Sequence, residues 1–327
     1  MLISLLLGVI ILWLITRNRD AEQIILQLRQ ANYGWVLLAM LCAIISHFLR
    51  ALRWNMLIGT MGYRTSAMLT FYAVMTGYLA NLAIPRMGEV TRCVTLGKAT
   101  NTPFNALAGT VLAERVFDFF SMLAIVFVAI ALQFGFLRSF IYRVFWSPVL
   151  ERSTEHWLPL ALILIAAILL LAGAIYFIRK KMKHAKADSF FYKLKRQYAG
   201  FVHGFNTIRT MRGKGWFVLH TVFIWGLYYL TVYLCFFAID GTSHLSPIAA
   251  FTLLAMGSLG LLVPVPGGIG TYHFLTIITL TELYRINPEP ATSYAYITHA
   301  TQMVVNILAG TASWIILSFL SKKQIRQ

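Results

Sequence analysis

The chain has 327 residues, of which 59% are hydrophobic and 12% charged, with a mean hydropathy of +0.71. An ordinary globular domain carries about 25% charged residues, so this composition excludes a water-soluble catalytic domain of any size and makes lipid the solvent. The net charge of +17 does not imply nucleic acid, because the basic residues fall between apolar runs and no RNA- or DNA-binding motif accompanies them.

In chain order, the first apolar run, 1–16, lacks a basic leader and a small-residue cleavage site, and is expected to be a retained short helix. A second span is expected over 31–49. Residues 66–98 are apolar to Ile84 and then read Pro85-Arg86-Met87-Gly88-Glu89, so a broken hairpin is expected rather than one span. A span over 105–137 closes the first half. The second half repeats the order, with spans over 157–178 and 216–239, a broken hairpin over 248–283 around Val263-Pro-Val-Pro-Gly-Gly-Ile-Gly270, and a last span over 291–320. The expected fold is an all-α integral membrane protein of about six full spans and two re-entrant hairpins, or eight kinked helices. Residues 1–137 and 157–327 would then be inverted repeats of the kind that place a substrate site near the midplane.

Between Arg179 and Lys214 stand eleven Lys or Arg and one acid, Asp188. The positive-inside rule puts this loop and both termini in the cytoplasm, in an inner (plasma) membrane. Its interleaved aromatic residues also suit contact with an anionic membrane surface. Three scattered cysteines and isolated histidines suggest neither a disulfide framework nor a metal site, and no cofactor is expected.

Two constellations carry the candidate chemistry. The first is Arg86, Glu89 and Arg92, three apart on one helical stripe, followed by Glu114, Arg115 and Asp118 inside an apolar span. An unpaired charge at a helix centre costs roughly 2.5–3.5 kcal/mol on insertion scales, so these residues either neutralise one another or leave an arginine for a lipid phosphate. The second is Gly267, Gly268, Gly270 and His273, which read as a backbone cradle for an anion at a helix start or as close helix packing, with His273 a titratable group.

These motifs, with Leu49-Arg50-Ala51-Leu52-Arg53-Trp54 upstream, resemble the lysylphosphatidylglycerol synthase transmembrane-region family. In that family, the membrane domain of the multiple peptide resistance factor is a flippase for aminoacylated phosphatidylglycerol. The resemblance therefore implies translocation of a phospholipid or polyprenyl-type lipid by a non-enzyme, with Arg86, Glu89, Arg92, Glu114, Arg115, Asp118, Gly267, Gly268 and Gly270 on family motif positions. One departure is His273, where the family often carries Glu; an imidazole suits a cationic aminoacyl headgroup less well than a carboxylate does. A membrane enzyme acting on lipid-linked substrates and a non-catalytic scaffold are the competing readings, and homo-oligomerisation is left open.

Overall fold

The computed structural model describes residues 2–133, 211, 213–263 and 265–325. Two units are distinguished, one of Met1–Ala129 with Gly204–Gln327 and one of Ile130–His203, and nearly all described residues lie in the first. The expected span over 157–178 and most of the basic loop over 179–214 fall outside the described residues.

The architecture is all-α, and no strand occurs among the described residues. Helix α1 is Leu2–Thr16. At 15 residues it reaches about 22 Å, short of the ~30 Å hydrocarbon core. Asp20 caps α2 (Ala21–Gln30) by accepting from the Glu22 and Gln23 amides, which starts an amphipathic helix where the sequence reading placed no element. Helix α3 (Tyr33–Thr60) is continuous for 28 residues and so overruns its expected end at Leu49. Arg50 and Arg53 remain inside it because carboxylates from another helix compensate them.

The first hairpin consists of α4 (Ala67–Ala83) and α5 (Met87–Thr100). Pro85 disfavours helical backbone at the residue before it, and Ile84 is accordingly extended. Arg86 then turns through a left-handed conformation at φ 66°. The two arms pack antiparallel at Gly77 and Gly88, where a Cβ on Gly88 would lie 2.3 Å from the Gly77 carbonyl oxygen. Helix α6 (Phe104–Leu132) follows, then α7 (Lys214–Leu234).

The second hairpin is α8 (Pro247–Gly260), a break, and α9 (Thr271–Ile278), which continues as a π-turn over Thr279–Leu283. Gly267, Gly268 and Gly270 all have positive φ in that break, a conformation that costs a side-chain-bearing residue about 1–2 kcal/mol. The last helix, α10, runs Pro288–Ile325. Among the described residues, four helices are long and apolar enough to cross a membrane: α3, α6, α7 with its short extension to Ala238, and α10.

One apolar cluster joins Val36, Val232, Phe236, Leu253, Leu280 and Tyr294, and a second joins Trp54, Leu57, Ala73, Leu96, Leu107 and Phe217. The hairpins meet at their tips. Leu82, near the end of α4, sits 3.4 Å from where a Cβ on Gly267 would be, and Gly310 lets α10 approach α4 at Met75 and Leu79.

Candidate functional site

Glu114 and Asp118, one turn apart on α6, both face α3. Arg50 Nε donates to Glu114 Oε1 at 2.7 Å, and its Nη2 donates to Asp118 Oδ2. Arg53 Nη2 donates to Asp118 Oδ1 at 2.6 Å and to Glu114 Oε1 at 3.2 Å, while its Nη1 reaches Thr221 on α7 at 3.1 Å. Arg92 of α5 approaches Glu114 Oε2 at 2.8 Å as an ion pair, off the line of a hydrogen bond. Its guanidinium also stacks over Trp54, 4.6 Å from the ring centre. Arg115, half-exposed, pairs with Glu89 at 2.8 Å.

About 15 Å of helix separates Glu114 from the start of α6, so the cluster lies well inside the span. Among the described residues, four guanidinium groups against three carboxylates leave one positive charge over. Removing charges from water costs several kcal/mol per ion, and a low-dielectric setting repays it only where pairing is close. Three arginines converging on the fully buried Glu114 meet that condition.

Beside the cluster, Arg50, Val74, Gly77, Tyr78, Asn81, Gly88, Arg92 and Arg115 line a narrow cleft, partly open to the outside, with enclosed room for about one water molecule. Within it Arg50 Nη1 donates to the Tyr78 hydroxyl at 2.7 Å, and the Gly88 amide donates to Asn81 Oδ1 at 2.7 Å. Arg92 Nε and Arg115 Nε are buried with no hydrogen-bond partner among the described residues. Unspent guanidinium donors beside a cleft are what a phosphate oxygen would engage.

Of the sequence candidates, the structure brings together Glu89, Arg92, Glu114, Arg115 and Asp118. Arg86 is exposed at the hairpin tip and makes no ion pair among the described residues. Gly267, Gly268, Gly270 and His273 form a separate place around the second break. The Gly268 and Ile269 amides are spent on turn bonds to Val265 and Pro266, the Gly267 carbonyl contacts His299 Nε2 at 2.8 Å, and Gly270 packs against Gly8 of α1. Gly268 and Gly270 are thus used for close packing, one of the two readings that the sequence allows. His273 is buried beside His299, ring centres 4.5 Å apart, and Tyr296. Among the described residues no three His, Cys, Asp or Glu side chains converge as a metal site requires.

Arg50 and Arg53 are site residues that the sequence reading does not single out. Their signal was present as two arginines three residues apart in an otherwise apolar run, with Trp54 next to them.

Three relatives frame these observations. Glycosyltransferase AglD of Haloferax volcanii is 23% identical over 96% of this chain and 54% of its own length, so the chain spans about half of that protein. UPF0104 membrane protein MJ1595 of Methanocaldococcus jannaschii is 23% identical over 90% of this chain and 88% of its own. UPF0104 membrane protein MJ1078 of the same organism is 25% identical over 62% and 79%. No solved structure matches the chain. The family model described as the lysylphosphatidylglycerol synthase TM region matches residues 1–310, and the chain is a membrane protein belonging to that family.

Proposed function

We propose that the protein translocates a phosphate-bearing lipid, holding the phosphate against Arg50, Arg92 and Arg115 while the acyl or prenyl tails stay in the bilayer. The observation that carries this reading is the surplus positive charge beside a cleft, with unpartnered guanidinium donors at span depth. A purely structural ion cluster would be expected to balance its charge. In this reading the two hairpins are inverted halves meeting near the midplane, the membrane is the inner (plasma) membrane, and both termini face the cytoplasm.

The test is reconstitution in liposomes with tail-labelled phosphatidylglycerol, scored by how fast label becomes accessible across the bilayer. Arg92→Gln and Arg115→Gln should each slow translocation by about 10- to 100-fold, the worth of a hydrogen bond to a charged group. Wild-type rates equal to those of both variants, or to protein-free liposomes, overturn the proposal.

A second reading is a membrane enzyme acting on lipid-linked substrates, favoured by the name glycosyltransferase on one relative. The remainder of that relative has no counterpart in this chain, so the name by itself does not assign glycosyl transfer to the matched half. Sugar transfer to a polyprenyl phosphate by the purified protein would reverse the ranking.

A further inference from the structure

Behind Tyr78 lies a second polar place that the ion cluster does not use. His47 of α3 is 2% exposed, and neither of its ring nitrogens has a hydrogen-bond partner among the described residues. Asn306 of α10 lies near enough to pair with this imidazole, and its Oδ1 is likewise buried with no other partner among the described residues. Around them, Ala43, Met75 and Val305 form an apolar wall. Tyr78 stands between this pocket and the cleft: its ring lies 4.4 Å from that of His47, its hydroxyl accepts from Arg50, and it lines the cleft.

Buried polar atoms left unpaired cost about 1–3 kcal/mol each, and even with His47 and Asn306 paired to each other one ring nitrogen stays unsatisfied, a place that a polar guest would complete. Its chemistry follows from the donors present. A neutral imidazole offers one N–H and one lone pair, and the amide oxygen offers a further acceptor, a set that hydroxyl groups match by both donating and accepting. An ammonium group fits poorly, because the Arg50 guanidinium is the charge nearest His47 and Glu89, Glu114 and Asp118 are all engaged by arginines.

Resting on the translocation reading, we propose that His47 and Asn306 form a subsite for the uncharged, hydroxyl-bearing part of an anionic lipid headgroup whose phosphate sits at Arg50, Arg92 and Arg115. Tyr78 divides the two subsites and swings aside to join them. The class selected is an acidic lipid with a neutral polyol or sugar headgroup, and a cationic aminoacyl headgroup is disfavoured.

The experiment compares tail-labelled phosphatidylglycerol, phosphatidic acid and lysylphosphatidylglycerol in proteoliposomes of wild type, His47→Leu, Asn306→Leu and His47→Gln. The ratio of phosphatidylglycerol to phosphatidic acid rates should fall about five- to tenfold in each leucine variant. His47→Gln keeps a donor and an acceptor and should hold the ratio within about twofold of wild type. Lysylphosphatidylglycerol should move more slowly than phosphatidylglycerol. An unchanged ratio in both leucine variants, as expected if the pocket holds only water, overturns the subsite while leaving translocation standing, and so does a lysyl lipid moved as fast as its parent. Wild type moving none of the three lipids overturns both readings together. Asn306→Leu perturbs a less buried position than His47→Leu, so the ratio can be read even where the histidine variant does not fold.

Discussion

Three guanidinium groups converge on Glu114, whose side chain is fully buried, whereas Asp118 is shared by two and is 16% exposed. Replacing Glu114 with glutamine leaves the side chain's size unchanged but strips Arg92 of its one carboxylate among the described residues and leaves the wholly buried Arg53 with Asp118 alone. Breaking a buried pair from one side typically costs about 3–5 kcal/mol, because the remaining charge stays in low dielectric. Thermal unfolding in detergent should therefore show a large loss for Glu114→Gln and a clearly smaller one for Asp118→Asn, whose side chain is less buried. Equal losses would mean that Glu114 does not anchor the cluster. At this scale the sequence was informative in a particular way. The acids were legible because Glu114 and Asp118 interrupt an apolar run at helical spacing, but their partners were not. Arg50 and Arg53 lie more than sixty residues upstream, and a hydropathy window without knowledge of those acids ends the span at Leu49. Compensation is a tertiary property, so the residue that makes an intramembrane charge tolerable is often invisible from the charge's own neighbourhood.

The hairpins show the reverse balance, since local chemistry sufficed. Pro85 and the glycines of 267–270 carry their backbone consequences with them, and both breaks occur where the sequence places them. Which glycine is indispensable, by contrast, depends on what it faces. A Cβ on Gly88 would press on the Gly77 carbonyl and, at 2.6 Å, on the Asn81 amide, whereas one on Gly109 in α6 meets nothing within 4 Å among the described residues. Gly88→Ala should accordingly lower stability by about 1–3 kcal/mol, the usual penalty of overpacking, and should force α4 and α5 apart. Gly109→Ala should be neutral or stabilise by up to about 1 kcal/mol by raising helix propensity. Arg86 provides a third case. Its left-handed backbone at φ 66° strains an L-residue, so Arg86→Gly should raise the unfolding temperature while removing the exposed cation at the tip. If that variant gains stability and also translocates normally, Arg86 shapes the turn and takes no part in holding lipid.

Across the whole molecule, the direction of each element can be argued from the pairs that touch. The α4–α5 turn returns the chain to the side it left, so the loop after α3 and the start of α6 share one face. Helix α7 runs opposite to α3, because Thr221 near its start meets Arg53 while Tyr228 further along meets Arg50. The turn after α7, which includes the exposed Ser243, therefore lies on the far face from the exposed Arg64 before α4. The positive-inside rule then assigns the Arg64 face to the cytoplasm, because the basic run ending at Lys214 leads directly into α7. In a background with Cys42, Cys93 and Cys235 replaced by alanine, an impermeant maleimide added to intact cells should label Ser243→Cys. It should label Arg64→Cys only after permeabilisation. Labelling of both from outside would contradict the hairpin geometry, whereas the reversed pattern would keep that geometry and invert the protein. An inverted protein would carry the arginine-lined cleft in the opposite orientation across the bilayer, so the same labelling pattern fixes which way round the proposed phosphate site stands.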